Sequence, residues 1–232
     1  MITSKNNTFF KLYKSLMVKK YRDQHGLFLV YGKHLIEAAR HHGALKTIIT
    51  DNPDLEGTLM DPALFKELQQ TETHIEQIGV CEKINPKIVS RRVLILEDIQ
   101  DPDNLGALIR SASAFGFLHV IMSPKCADLY NEKAIRASKG ALFDVYAERL
   151  SLEPAIMELK KQGYQMLCTS PHKGTTGFPD THLAVILGNE GRGVSLRIQE
   201  LADHWISIET QRVESLNVSV AGGIIMHQWR LL

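Results

Sequence analysis

Three short stretches combine polar side chains with small residues at spacings that can do chemistry. The first is Glu97–Ala112, EDIQDPDNLGALIRSA. A strand ends here in a turn, Asn104 or Asp103 can cap the helix that follows, and Arg110 falls within two helical turns of the loop. An Asx-turn cap followed by a surface arginine would be written in the same letters. The second is Ile186–Ser195, ILGNEGRGVS, where Gly188, Gly191 and Gly193 allow sharp turns and close backbone approach around Glu190. Glycine at this density favours a small molecule touching backbone, and a tight turn between strand and helix is the plainer alternative. The order is neither the dinucleotide fingerprint GxGxxG nor a phosphate loop ending in GK[ST]. The third is Ile206–Trp229, ISIETQRVESLNVSVAGGIIMHQW. Ser215 can cap a helix whose first turn carries Asn217 and Ser219. The helix body, from Val218 to Ile225, is small and apolar, so it is either buried or placed at a subunit interface.

These side chains need a framework, and the hydrophobic pattern supplies one. Residues 5–20 have Phe9, Leu12 and Leu16 at helical spacing. Phe28–Gly32 predicts a strand, Lys33–His42 a helix closed by Gly43, and Leu45–Thr50 a strand. Asp61 followed by Pro62 opens a helix to about Gln70, and His74–Glu82 reads as a strand. After a connector at about residues 84–91 the pattern restarts. Strands are expected at Arg92–Ile99, Leu118–Met122, Phe143–Ala147, Tyr164–Thr169, Leu183–Leu187 and Trp205–Ile208. Helices are expected at Leu105–Phe115, Ala134–Lys139, Pro154–Gln162 and Leu216–Trp229, with a loop over Ser170–Asp180. This alternation predicts an α/β protein with a mainly parallel sheet and two domains, residues 1–85 and 92–232. Ligands of such sheets bind beyond the C-terminal ends of the strands, where the three polar stretches fall.

Composition excludes other classes. The 232 residues are 44% hydrophobic and 23% charged, as in ordinary globular protein, so disorder and coiled coil are not the dominant state. The longest apolar runs fall far short of the ~18 residues a membrane span needs, and the start lacks a signal-peptide pattern. Three separated cysteines, Cys81, Cys126 and Cys168, read as reduced thiols of a cytoplasmic protein. No Cys/His cluster has zinc spacing, so no metal is expected, and no GxSxG nucleophile elbow occurs. The net charge of +1 hides an asymmetry: residues 1–46 hold nine Lys/Arg and two acids, a charge of +7. Such a lobe suits a polyanion, although a solvated helix face is equally basic. Within it, Lys5, Lys11, Lys14, Lys19, Lys20 and Arg22 are the candidate nucleic-acid contacts.

Taken together, the segments DPDNLGALIRSASAFG, ILGNEGRGVS and SLNVSVAGGI resemble, in order and spacing, the three motifs of the SpoU (TrmH-type) RNA ribose 2′-O-methyltransferases of the SPOUT class. The resemblance covers about residues 92–232. More weakly, residues 5–50 resemble the L30e-like RNA-binding domain that precedes the catalytic domain in members acting on ribosomal RNA. The resemblance implies a catalytic domain with a C-terminal trefoil knot and a homodimer formed through that domain. It implies S-adenosylmethionine held largely by backbone at Gly188, Ile208 and Leu216, with Thr169 and Asn189 nearby. It further implies that Asn104, Arg110, Glu190, Ser215 and Asn217 are the polar active-site positions, with Arg110 serving either its own subunit or the partner. The expected activity is ribose 2′-O-methylation of RNA, ribosomal RNA ahead of transfer RNA. A non-catalytic RNA-binding protein of the same fold and a generic nucleotide-binding enzyme are the competing readings.

These residue types suit that chemistry. A ribose 2′-hydroxyl is a poor nucleophile at neutral pH, so the protein must align it and stabilise negative charge on its oxygen. A guanidinium can do so while gripping a phosphate in a bidentate fork, but it stays protonated and is a poor base. Arg110 is therefore read as a charge stabiliser, with phosphate or water taking the proton. Asn104 and Asn217 would orient the ribose and Arg110, and Glu190 would fix the loop or the arginine.

Overall fold

The computed structural model describes residues 1–70, 74–170, 182–213 and 215–230. Apart from Ser170, the loop expected over Ser170–Asp180 lies outside the described residues.

The N-terminal segment forms two helices where the spacing suggested one. α1 (Thr8–Ser15) starts at Asn7, whose side chain accepts from the Phe9 and Phe10 N–H groups. α2 (Lys19–His25) follows after Val18, whose backbone is extended. Arg22 explains the break: its Nη1 donates to the Leu16 carbonyl at 2.8 Å, satisfying an acceptor that a continuous helix would have used itself. Gly26 ends α2 with φ +65°.

Next come β1 (Leu27–Tyr31), α3 (Lys33–His41), β2 (Leu45–Thr50), the short β3 (Thr58–Leu59), α4 (Pro62–Leu68) and β4 (Gln77–Glu82). Asp61 caps α4 and Pro62 occupies its first turn, as read from the sequence. The sheet order is β1-β4-β2-β3. Its β1–β4 and β2–β4 pairs are antiparallel and only β2–β3 is parallel, so the parallel expectation does not extend to this half. One face packs on α1 and α4 through Phe10, Tyr13, Leu16, Leu64 and Phe65.

The second half runs β5 (Arg92–Leu96), α5 (Pro102–Ala114), β6 (His119–Met122), α6 (Glu132–Ser138), a 3₁₀ turn, and β7 (Tyr146–Arg149). It continues α7 (Leu152–Lys161), β8 (Gln165–Thr169), β9 (Leu183–Leu187), α8 (Leu196–Gln199), β10 (His204–Ile206) and α9 (Val218–Gln228). The six strands form one parallel sheet, ordered β10-β8-β9-β5-β6-β7. β5 and β9 lie inside it, and every one of their residues is buried. That burial is why they read as unbroken apolar runs. Val93, Ile95 and Ile186 face α7 and α8, whereas Leu94, Leu96 and Val185 face α5 and α9.

The two halves share one core. Phe28 and Val30 of β1 and Ile36 of α3 belong to the same buried cluster as Leu105, Leu129 and Phe143. The Phe28 ring lies 4.7 Å from that of Tyr130. Arg22 spans this junction: its Nη2 meets the Asp128 carboxylate at 2.6 Å, and both side chains are largely buried. This corrects the reading of Arg22 as an RNA contact, because a guanidinium closed off from solvent and held by a carboxylate cannot reach a phosphate.

Candidate functional site

The loop after β9 is built by its own backbone. Asn189 and Gly193 exchange two backbone hydrogen bonds, of 2.9 and 3.1 Å. A Cβ on Gly188 would lie 2.2 Å from the Gly193 carbonyl carbon and from the Val194 nitrogen. Glycine is therefore needed at 188 so that the chain can fold back on itself, a steric demand of the protein that exists before any ligand binds. Asn189 organises the turn. Its Oδ1 accepts from the Gly191 and Arg192 N–H groups, and its Nδ2 donates to the Asp98 carbonyl at 2.9 Å and to Glu190 Oε2 at 3.3 Å. Glu97 pins the far end, accepting from both the N–H and the hydroxyl of Ser195 at 2.8 and 2.6 Å.

The first and third stretches close around this loop. Asp101, rather than Asn104 or Asp103, caps α5, accepting from the Asp103 N–H at 2.8 Å with Pro102 in the first turn. Asn104 is thereby freed within that turn. Its Nδ2 donates to Glu190 Oε1 at 3.2 Å, and its Oδ1 accepts from Asn217 Nδ2 at 3.0 Å. Glu190 Oε1 also accepts from the Asp101 N–H, 3.4 Å away, at the helix end that favours negative charge. Asn217, not Ser215, caps α9: its Oδ1 accepts from the Ser219 N–H and hydroxyl and from the Val220 N–H. The cap position read for Ser215 is thus two residues early. Ser215 is exposed and makes no hydrogen bond among the described residues. Glycine again sets how close two elements come, since a Cβ on Gly222 would lie 2.4 Å from Leu108 Cδ2 of α5.

Three of the five expected polar positions therefore form one chain of hydrogen bonds, from Asn217 through Asn104 to Glu190. Arg110 does not join it. Six residues along α5 from Asn104 it points about 120° away, and it is exposed with no hydrogen bond or ion pair among the described residues. Of the expected cofactor positions, Thr169 gives its hydroxyl to the Ile186 carbonyl at 3.0 Å. Ile208 and Leu216 are half-buried, and among the described residues their backbone groups make no hydrogen bond. The sequence reading missed Glu97, Asp98 and Asp101 as organisers of the loops. Asp98 takes φ +55° and accepts from the Ser123 hydroxyl at 2.7 Å.

Among the expected RNA contacts, Lys5 and Lys14 both meet Glu67, at 2.5 and 3.4 Å, and Lys19 pairs with Asp23. Lys11 and Lys20 are exposed and form no ion pair among the described residues. All three cysteines are free and buried. Among the described residues no helix is long and apolar enough to cross a membrane, and no group of His, Cys, Asp and Glu could hold a metal.

A parallel α/β sheet whose polar loops gather beyond its C-terminal strand ends, preceded by a smaller α/β unit, defines a two-part enzyme architecture. Comparison with known proteins names it. A family model described as the SpoU rRNA methylase family matches residues 91–227, and one described as an MRM3-like substrate binding domain matches residues 7–93. The chain belongs to the SpoU rRNA methylase family. It is 32% identical, over 99% of its length and 98% of the relative's, to the 23S rRNA (guanosine(2553)-2′-O)-methyltransferase RlmP of Bacillus subtilis. Among solved structures it is similar to the SpoU methyltransferase AviRb from Streptomyces viridochromogenes in complex with AdoMet, at 26% identity and a TM-score of 0.83 over 97% of each chain. An rRNA methyltransferase from Sinorhizobium meliloti, 22% identical, shares the fold with a TM-score of 0.87 over 98% of this chain and 96% of that one.

Proposed function

We propose that this protein is an S-adenosylmethionine-dependent RNA ribose 2′-O-methyltransferase acting on ribosomal RNA. The observation that carries the reading is the hydrogen-bonded chain Asn217–Asn104–Glu190, which draws all three motifs to one place. The relatives' names support the substrate class, and AviRb's title supports the cofactor. The residues fit that cofactor: Ile208 and Leu216 are apolar and half-buried, and among the described residues their backbone groups make no hydrogen bond, which leaves donors and acceptors for the edge of a purine. Bound there, the cofactor supplies a methyl group on a sulfonium. Asn104 and Asn217 hold the ribose, and Glu190 fixes Asn104 directly and Asn217 only through it. Arg110 steadies negative charge on the 2′-oxygen and grips the adjacent phosphate, and that phosphate or a water takes the proton.

Exposed, and unpaired among the described residues, Arg110 favours service in the partner's site. On α9, which packs on α5 at Gly222 and Leu108, Val220 and Ile224 are about half exposed, an apolar stripe that a second copy would cover. We read the enzyme as a homodimer through this face, with domains 1–85 and 92–232. The chain leaving β10 at the sheet edge must return to α9 against α5, and we read this return as the trefoil knot. Lys11 and Lys20 remain the RNA contacts best supported on the N-terminal surface. The test is incubation with labelled S-adenosylmethionine and total RNA from a strain lacking the gene. Label is expected in ribosomal RNA, recovered as a 2′-O-methylated nucleoside. Label in transfer RNA alone would move the substrate, and none in any RNA would end the reading.

A further inference from the structure

Where the N-terminal half meets the catalytic half, a crevice of about 250 Å3 opens between the β1–α3 turn and one face of α6. Tyr31, Ile75 and Ile135 are among the residues lining its interior. Tyr31 is held in place, its hydroxyl donating to the Leu68 carbonyl at 3.0 Å and its side chain packed with Leu64 and Phe65. Three cations and one carboxylate, Glu132, are among the lining residues. Lys33 is 82% exposed and its nearest acid, Glu37, is 3.8 Å away. Lys139 is exposed and forms no ion pair among the described residues. Arg136 holds Glu132 at 3.1 Å and lies 3.8 Å from Asp103, the neighbour of Asn104 in the polar network. His34 Nε2 donates to the Lys139 carbonyl at 3.1 Å, joining the two walls and leaving the other ring nitrogen as an acceptor when the ring is neutral.

We propose that this crevice seats one unstacked base of the RNA, a near neighbour of the methylated nucleotide, with the flanking phosphates on Lys33, Lys139 and Arg136. The proposal rests on the RNA methyltransferase reading and adds where the RNA is held. The cavity is below the roughly 300–1,000 Å3 of sites that enclose drug-sized molecules, which suits a flat base with its sugar and phosphate left outside. Single-stranded RNA is read by splaying bases onto aromatic and apolar walls while cations follow the backbone, and this crevice offers both. Its place beside Asp103 puts the seat a short step of chain from the reacting ribose. Neither half contains the seat alone, which gives the fixed docking of the two halves a use.

The test measures binding of an unmodified 23S rRNA transcript across a salt series, with methyl transfer assayed on the same preparations. Lys33→Gln with Lys139→Gln should weaken binding at least fivefold and flatten the slope of log affinity against log salt by about 1.4, the value for two lost single-strand phosphate contacts. Ile75→Trp, which fills the interior, should weaken binding about tenfold with the slope unchanged. In both variants KM for RNA should rise while kcat and cofactor affinity stay within twofold of wild type. If Ile75→Trp does not fold, the lysine pair decides alone. Wild-type affinity and slope in the folded variants would overturn the proposal and leave the crevice to a protein partner. Weakened binding by the variants supports the seat even if wild-type protein transfers no methyl group, a result that would count against the methyltransferase reading alone. Wild-type protein that does not bind the transcript contradicts both.

Discussion

In the proposed mechanism Arg110 is the residue on which the chemistry turns, and its setting separates two roles. It stands outside the Asn217–Asn104–Glu190 chain and is exposed, so removing it should leave that chain standing. Arg110→Ala is expected to lower turnover by two orders of magnitude or more, as loss of one charge stabiliser does, with cofactor affinity within twofold by calorimetry. Equal loss of both would make Arg110 a cofactor ligand. Asp23 gives a prediction in pH. Hydrogen bonds from Lys19 and Lys83 lower its carboxyl from 3.8 to about 2. A carboxyl lowered on folding stabilises the folded state above its unfolded value, and that contribution is lost as pH falls through the folded one. Asp23→Asn should therefore melt below wild type at pH 7, and the gap should close as pH drops from about 4 to about 2. A gap constant with pH would show that the charge is not what matters. At this scale the sequence was a partial guide. The types at Asn104, Glu190 and Asn217 pointed to a site, but partners 86 and 113 residues apart are joined only by the fold. Arg22 misled for the same reason, since a count of cations cannot separate a surface lysine from a buried, paired arginine.

The elements were legible where burial imposes a pattern. Leu45–Thr50 stands where it was expected and Leu183–Leu187 where its apolar run placed it, and Gly43 lies just past α3 with φ +71°. Helix starts were less legible, because several residues in DPDN and SLN can cap and only packing chooses among them. The α5 cap moved to Asp101 and the α9 cap to Asn217. The loop after β9 supports a sharper statement. At Gly188 a Cβ would meet backbone atoms at 2.2 Å, which cannot swing aside as a side-chain tip can. Gly188→Ala should therefore displace residues 189–194 and with them Glu190, lowering both cofactor affinity and turnover at least tenfold. Overpacking of this kind costs roughly 1–3 kcal/mol in a core, and a fall in melting temperature should accompany it. Wild-type cofactor affinity in this variant would mean that the loop has slack the geometry does not reveal.

Across the whole molecule, two sheets of different character are held as one body. The shared core and the Arg22–Asp128 pair fix the N-terminal half against the loop that precedes α6. Breaking one side of a buried pair leaves the other charge unpaired, at a cost of about 3–5 kcal/mol. Arg22→Met is expected to lose that much stability in urea unfolding. Because Arg22 faces the junction rather than solvent, the folded variant should bind RNA at low salt within twofold of wild type; a large loss of RNA affinity with stability unchanged would restore Arg22 to the RNA surface. The same docking sets the distance between the N-terminal half and the polar loops, so one target should be chosen with high selectivity. The measurement that reaches this most directly is a map of ribose 2′-O-methylation across cellular RNA, made with and without the gene. One ribosomal ribose should lose its methyl group in the deletion and regain it when the wild-type gene, but not Arg110→Ala, is returned; identical maps in all strains would contradict the assignment.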